Sequence, residues 1–243
     1  MIAAMAFRIE RHPLSPSITS IALRVSLVLL IFDAIIELFL VCSSLGWLGM
    51  VAKSHKYFRF TAYGSKHNLA ALPRNFLNYP TQICQIAAGT AVFFVGVIGL
   101  ICLWLRNLTQ YRIGQFAKGC RCSYYTWVIL LAPSLVLTTA ALACVFAEAS
   151  RPSAQIDTAL AVELNGSQYD RGTWGPQSWL SAVLGLQLVH DREDIVKQLM
   201  FIKGWQYNII PMFILQFIQF VLGVMDLMRW NRKPRHPETW SRF

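Results

Sequence analysis

Four stretches of this chain are apolar almost without interruption, and segments rich in polar and charged residues separate them. They run over 18–50, 84–105, 124–147 and 208–228. An α-helix rises ~1.5 Å per residue, so roughly 20 residues cross a ~30 Å hydrocarbon core. Each stretch is long enough to do so. The pattern predicts an all-α membrane protein, a four-transmembrane-helix bundle forming one membrane domain. The remaining segments are a basic tail (1–17), a first loop (51–83), a short connection (106–123), a long second loop (148–207) and a second basic tail (229–243). Within the second loop the pattern turns helical from Asp191. Asp191, Glu193 and Asp194 complement the dipole of a first turn, Ile195, Val196, Leu199, Met200 and Ile202 form an apolar stripe, and Gly204 marks a stop. This predicts a separate amphipathic helix on the membrane surface or over the bundle mouth.

The polar positions inside the apolar runs carry more information than the apolar ones. Asp33 and Glu37 are four apart and share one face of the first helix. A lipid-facing carboxylate is costly, so that face turns toward other helices, with Gln216 and Gln219 of the fourth run as expected partners. This makes the stretch from Val25 to Met50 the expected organising element. The second run holds Gly89, Gly96 and Gly99, with Ala87 and Ala91, a small-residue face suited to close packing within the chain or against a second copy. Pro133 is expected to kink the third helix, and Pro211 to lie in the first turn of the fourth. The first run is too long, and too acidic, for a signal-peptide core, so it reads as an uncleaved membrane helix. The competing reading places a cleavage near Ser43-Ser44.

Composition agrees with this picture. The chain has 243 residues, 55% hydrophobic and 14% charged, where a soluble domain would carry about 25% charged residues. The net charge of +10 does not call for nucleic acid, because basic residues gather at the cytoplasmic ends of membrane helices. The partners expected are the lipid bilayer, other membrane proteins or further copies of the chain. Arg106, Arg112, Lys118 and Arg121 occur without an acid in the 106–123 connection, which places it with both termini in the cytoplasm. The second loop holds seven of the twelve acids and the sequon Asn165-Gly166-Ser167, which suits the outside or lumen of a plasma or secretory-pathway membrane. The basic first loop pulls the other way. A second sequon, Asn107-Leu108-Thr109, abuts the cytoplasmic side and should be silent. Cys120 and Cys122 stand beside basic residues at a membrane end, as palmitoylation sites do, although unmodified thiols are the simpler expectation.

The first loop alternates Lys53, Lys56, Arg59, Lys66 and Arg74 with Tyr57, Phe58, Phe60, Tyr63, Phe76 and Tyr79. Two readings stand: a segment lying on anionic headgroups, or a solvated connector. In the second loop, Tyr169-Asp170-Arg171-Gly172-Thr173-Trp174-Gly175-Pro176-Gln177-Ser178-Trp179 places two tryptophans five apart around turn residues and predicts a folded aromatic corner. His190 beside Asp191, Glu193 and Asp194 reads as helix capping, since neighbouring positions on one turn point apart and hold no metal together. The overall plan resembles tetraspan proteins such as tetraspanins, claudin-like proteins and MARVEL proteins. The second loop lacks the tetraspanin Cys-Cys-Gly, and the first lacks the claudin Trp…Cys…Cys. The Gly172-Thr173-Trp174 to Trp179 segment, followed by an acidic helix and the last span, is most similar to uncharacterised four-span integral membrane proteins of filamentous fungi. In those a cysteine often stands where this chain has Ser181. That resemblance implies a fold and no activity.

For function, the leading expectation is a non-enzymatic membrane-organising or partner-scaffolding protein without a cofactor. The alternative is an oligomeric channel or transporter in which Asp33 and Glu37 pass a cation or protons. An enzyme is expected least, since the chain holds no Gly-x-Ser-x-Gly elbow, His-Glu-x-x-His or nucleotide-binding loop.

Overall fold

The computed structural model describes residues 16–53, 57–109, 115–150 and 155–232. Most of both basic tails, with Lys56 and Arg112, lies outside the described residues. The chain is mostly helical, and four helices are long and apolar enough to cross a membrane: Ile18–Val51, Tyr79–Thr109, Lys118–Ala149 and Arg192–Arg229. We label the elements α1 (Pro16–Lys53), β1 (Tyr57–Ala62), β2 (Ser65–Ala70), α2 (Tyr79–Thr109), α3 (Gln115–Ala149), α4 (Thr158–Leu164), α5 (Pro176–Leu184) and α6 (Arg192–Arg232).

The four long helices close into a ring in which α1 packs on α6 and α2, and α3 packs on α2 and α6. Their buried positions repeat every seven residues in steps of three and four. On α3 they include 120, 124, 127, 131, 134, 138, 141, 145 and 148; on α6, 202, 205, 209, 212, 216, 219, 223 and 226. A seven-residue recurrence of this kind is the one that favours left-handed, knobs-into-holes packing of helices. The opposite faces are apolar too, with Phe32, Phe39, Ile129, Val136 and Phe217 exposed, as lipid contact would require. In α2 the seam is adjusted by a π-helical stretch over Ala91–Val97. Within it the Val95 carbonyl accepts a hydrogen bond from Trp127 Nε1 at 3.1 Å, a shift off the regular ladder that fits one helix to the other.

Three expectations are corrected. The first loop is not a plain connector. Its residues 57–70 form an antiparallel hairpin, with Phe58 and Phe60 buried in protein, and α2 already begins at Tyr79. Tyr63 and Gly64, at φ 51° and 77°, make the two-residue primed turn that matches strand twist. The second correction concerns the stop at Gly204. α6 runs unbroken from Arg192, so there is no separate amphipathic helix at that position, and Pro211 lies well inside α6 instead of in its first turn. A glycine ends a helix only where the chain also leaves it; here the following apolar residues continue to pack on α1, and even a Cβ at Gly204 would meet Leu40 only at ordinary van der Waals distance. Third, α2 extends to Thr109 and α3 begins at Gln115, so Cys120 and Cys122 sit on a helix and not in the connection expected over 106–123.

The two loops fold together into a cap at one end of the bundle. Residues 187–189 make an isolated antiparallel bridge to β1, Leu188 opposite Phe60, through Thr61 N–H to the Gln187 carbonyl and Val189 N–H to the Arg59 carbonyl, at 2.8 and 2.9 Å. Asp157 caps α4 by accepting from the Ala159 N–H at 3.1 Å, and Pro176 opens α5. The predicted aromatic corner is present. Trp174 and Trp179 meet edge-on with centroids 5.2 Å apart, and Tyr169 lies 5.9 and 6.0 Å from them, all three buried. Trp179 Nε1 donates to the Ala71 carbonyl and Trp174 Nε1 to the Arg171 carbonyl, both at 2.8 Å, so neither indole is buried unpaired.

Candidate functional site

The chemistry-bearing side chains lie inside the bundle, in layers stacked along α6. At the end away from the cap, Arg229 donates to Thr19. One layer further in, Asp226 accepts from Arg106 of α2 and from the Tyr124 hydroxyl of α3, and the Arg106 guanidinium lies 4.9 Å from the centre of the Tyr124 ring. Three helices are thereby tied at one buried carboxylate. The next layer joins α1 to α6, where Ser26 Oγ donates to Gln219 Oε1 at 2.6 Å. Above it Gln216 serves α3: its Oε1 accepts from the Thr138 hydroxyl at 2.6 Å, and its Nε2 donates to Ser134 Oγ.

Glu37 occupies the layer nearer the cap and is fully buried, while Asp33 is half-buried one turn away. Asn208 Nδ2 donates to Glu37 Oε2 at 3.1 Å and to the Asp33 backbone carbonyl at 3.3 Å. Glu37 Oε1 and Asp33 Oδ2 are buried with no hydrogen-bond partner among the described residues. The expected inward turn of both acids is therefore found, but their expected partners are not. Gln216 and Gln219 lie 8 and 11 residues beyond Asn208, about 12 and 16 Å along the helix axis, and serve Ser134, Thr138 and Ser26. The organising element is likewise α6, which contributes to all five layers. Apolar positions separate the polar layers. Met212 is fully buried between Asn208 and Gln216, and Gly223 meets the side chain of Leu131 between Gln219 and Asp226.

Glu148 sits at the seam between bundle and cap. It closes the buried register of α3 and lies so near the start of α5 that a Cβ on Gly175 would fall 2.0 Å from its Oε1. Glu148, Asn208, Asp226 and Arg106 were all missed as site residues by sequence reasoning. The seven-residue seam would have found two of them, since Glu148 and Asp226 lie on it in phase with Trp127 and Gln219, whereas Asn208 stands beside the seam position Ile209.

The other candidate residues do not join this column. Cys120 is buried and Cys122 exposed, and all six cysteines are free thiols. Among the described residues no group of three His, Cys, Asp or Glu side chains is placed to hold a metal. His190, Asp191, Glu193 and Asp194 are exposed; Asp191 takes the left-handed φ of 66°, and its carbonyl accepts from the Ile195 N–H as α6 begins. Gly96 and Gly99 face Ile31 and Trp127 inside the chain, while Gly89 meets nothing. No protein-family model matches the chain, and neither curated proteins nor solved structures give a match.

Proposed function

We propose that the chain is a non-enzymatic multi-pass integral membrane protein that presents its folded cap to partner proteins at the outer or lumenal face of a plasma or secretory-pathway membrane. The observation that carries this reading is that every interior layer binds α6 to a neighbouring helix through at least one polar contact, with Glu37 Oε1, Asp33 Oδ2 and Gln219 Nε2 left over without a partner among the described residues. Each layer ties α6 to one or two other helices, and apolar side chains close the space between layers, which suits a rigid platform better than a path for ions. The orientation rests on charge. Arg106, Lys118, Arg121 and Arg229 collect at the end away from the cap with Asp226 as the one acid among the described residues there, while the cap mixes the acids of the second loop with Arg59, Lys66 and Arg74 of the first, and the unbalanced basic end is taken as cytoplasmic. The exposed apolar faces of the long helices would meet lipid, a further copy of the chain or other membrane proteins.

The second reading, a cation or proton carrier built on Asp33 and Glu37, is supported by the two buried carboxyl oxygens without partners. One experiment separates the two. Asp33→Asn with Glu37→Gln is expressed beside the wild type, and surface amount, conductance and proton flux are measured. The platform reading expects no flux from the wild type above that of empty cells. A wild-type flux that the double variant loses at equal surface amount would overturn it.

A further inference from the structure

We propose that Asn165 is an N-glycan acceptor, and that the fold, beyond the triplet itself, selects it over Asn107. The proposal rests on the reading that the cap faces the lumen.

The two triplets are presented very differently. Asn165 ends α4 in the left-handed region at φ 36°, ψ 57°, and Gly166 follows at φ +99°, so residues 165–167 leave the helix as a turn. Asn165 and Ser167 are both exposed. The Asn165 side chain is held by one end only, where Oδ1 accepts from the Asn68 N–H of β2 at 3.2 Å. Its Nδ2, the atom that would carry sugar, makes no hydrogen bond among the described residues.

Asn107 lies in the last turn of α2, where residues two apart point to different sides of a helix. The Thr109 hydroxyl is buried and donates to the Leu105 carbonyl at 2.9 Å, so the hydroxyl that an acceptor triplet must offer is already committed. This triplet also stands at the end of the bundle opposite the cap.

The co-reactant is an oligosaccharide joined to a polyprenyl lipid through a diphosphate, used by a lumenal transferase. Asn165 Nδ2 attacks the anomeric carbon, a C–N bond forms, and the C–O bond to the diphosphate breaks. The lipid diphosphate leaves with the electron pair, and Nδ2 gives up one proton. Nothing is oxidised or reduced. The product adds a bulky polar group on the surface of the cap.

The test uses the full chain made in eukaryotic cells, with gel mobility read before and after an amidase that releases N-glycans. The wild type should shift once on treatment, and Asn107→Gln should shift equally. Ser167→Ala, which leaves Asn165 and its bond to Asn68 in place, should abolish the shift, and Ser167→Thr should retain it. A reporter keeps orientation separate. Tyr63→Asn, made in the Ser167→Ala background, turns residues 63–65 into an Asn-Gly-Ser triplet at the exposed hairpin tip, in a turn that favours asparagine. A shift in this reporter with none in the wild type overturns the assignment of Asn165 while the cap remains lumenal. No shift in either overturns the lumenal orientation, and the assignment falls with it. A shift that survives Ser167→Ala places the glycan elsewhere.

Discussion

Two glycines of α2, ten residues apart, should respond in opposite ways to the same substitution. A Cβ on Gly99 would fall 2.7–2.8 Å from three atoms of the Trp127 indole, a distance real Cβ atoms do not keep, whereas a Cβ on Gly89 meets nothing within 4 Å. The indole has little room to yield, being buried and bonded through Nε1 to the Val95 carbonyl. Overpacking a fitted interior costs about 1–3 kcal/mol. Displacing the indole also removes a hydrogen bond contributing about 1 kcal/mol, and replacing a helical glycine by alanine returns about 1 kcal/mol. Gly99→Ala should therefore destabilise the bundle by about 1–3 kcal/mol, while Gly89→Ala should be neutral or stabilising by up to about 1 kcal/mol. Midpoints of thermal unfolding in detergent, followed by size-exclusion of the heated protein, rank the variants. Trp127→Phe supplies the control, because the phenyl ring lacks the indole atoms that clash. In that background Gly99→Ala should cost less, with a coupling on the order of 1 kcal/mol or more. Equal midpoints for Gly99→Ala and Gly89→Ala would refute the close approach of α2 and α3 at this point.

Asp226→Ala leaves the Arg106 guanidinium largely buried without its carboxylate, and should cost on the order of 3 kcal/mol in the same unfolding assay. Asp226→Asn, which keeps an acceptor for the Tyr124 hydroxyl, should cost less, and the reverse order would argue against the three-helix tie. Trp179→Phe removes the indole N–H from the Ala71 carbonyl inside the cap, and about 1–3 kcal/mol of local stability should follow. Faster proteolysis within residues 155–191, with the bundle intact, is the result that checks it.

The pattern of the chain by itself determined the number of long helices, the inward turn of Asp33 and Glu37, and the aromatic corner around Trp174 and Trp179. These are local properties. A run of some twenty apolar residues makes a spanning helix whatever surrounds it, carboxylates four apart share a face in any helix, and turn residues between two tryptophans bring the rings together at short range. Only the tertiary structure decided that Glu37 meets Asn208, that Gln216 and Gln219 serve α3 and the other end of α1, that Gly204 stays inside a continuous α6, and that the first loop is a hairpin bridged to residues 187–189. Hydrophobicity does not mark the core of such a bundle, because the side meant for lipid is as apolar as the side meant for protein. What marks it is the seven-residue recurrence of small and polar residues, and which of these meet depends on the relative shift of two antiparallel helices. A shift of one turn, about 5.4 Å, would exchange every partner without altering a single local preference. That shift is set by long-range fits such as Trp127 over Gly99 and Ile31 against Gly96, which only the packed bundle brings together.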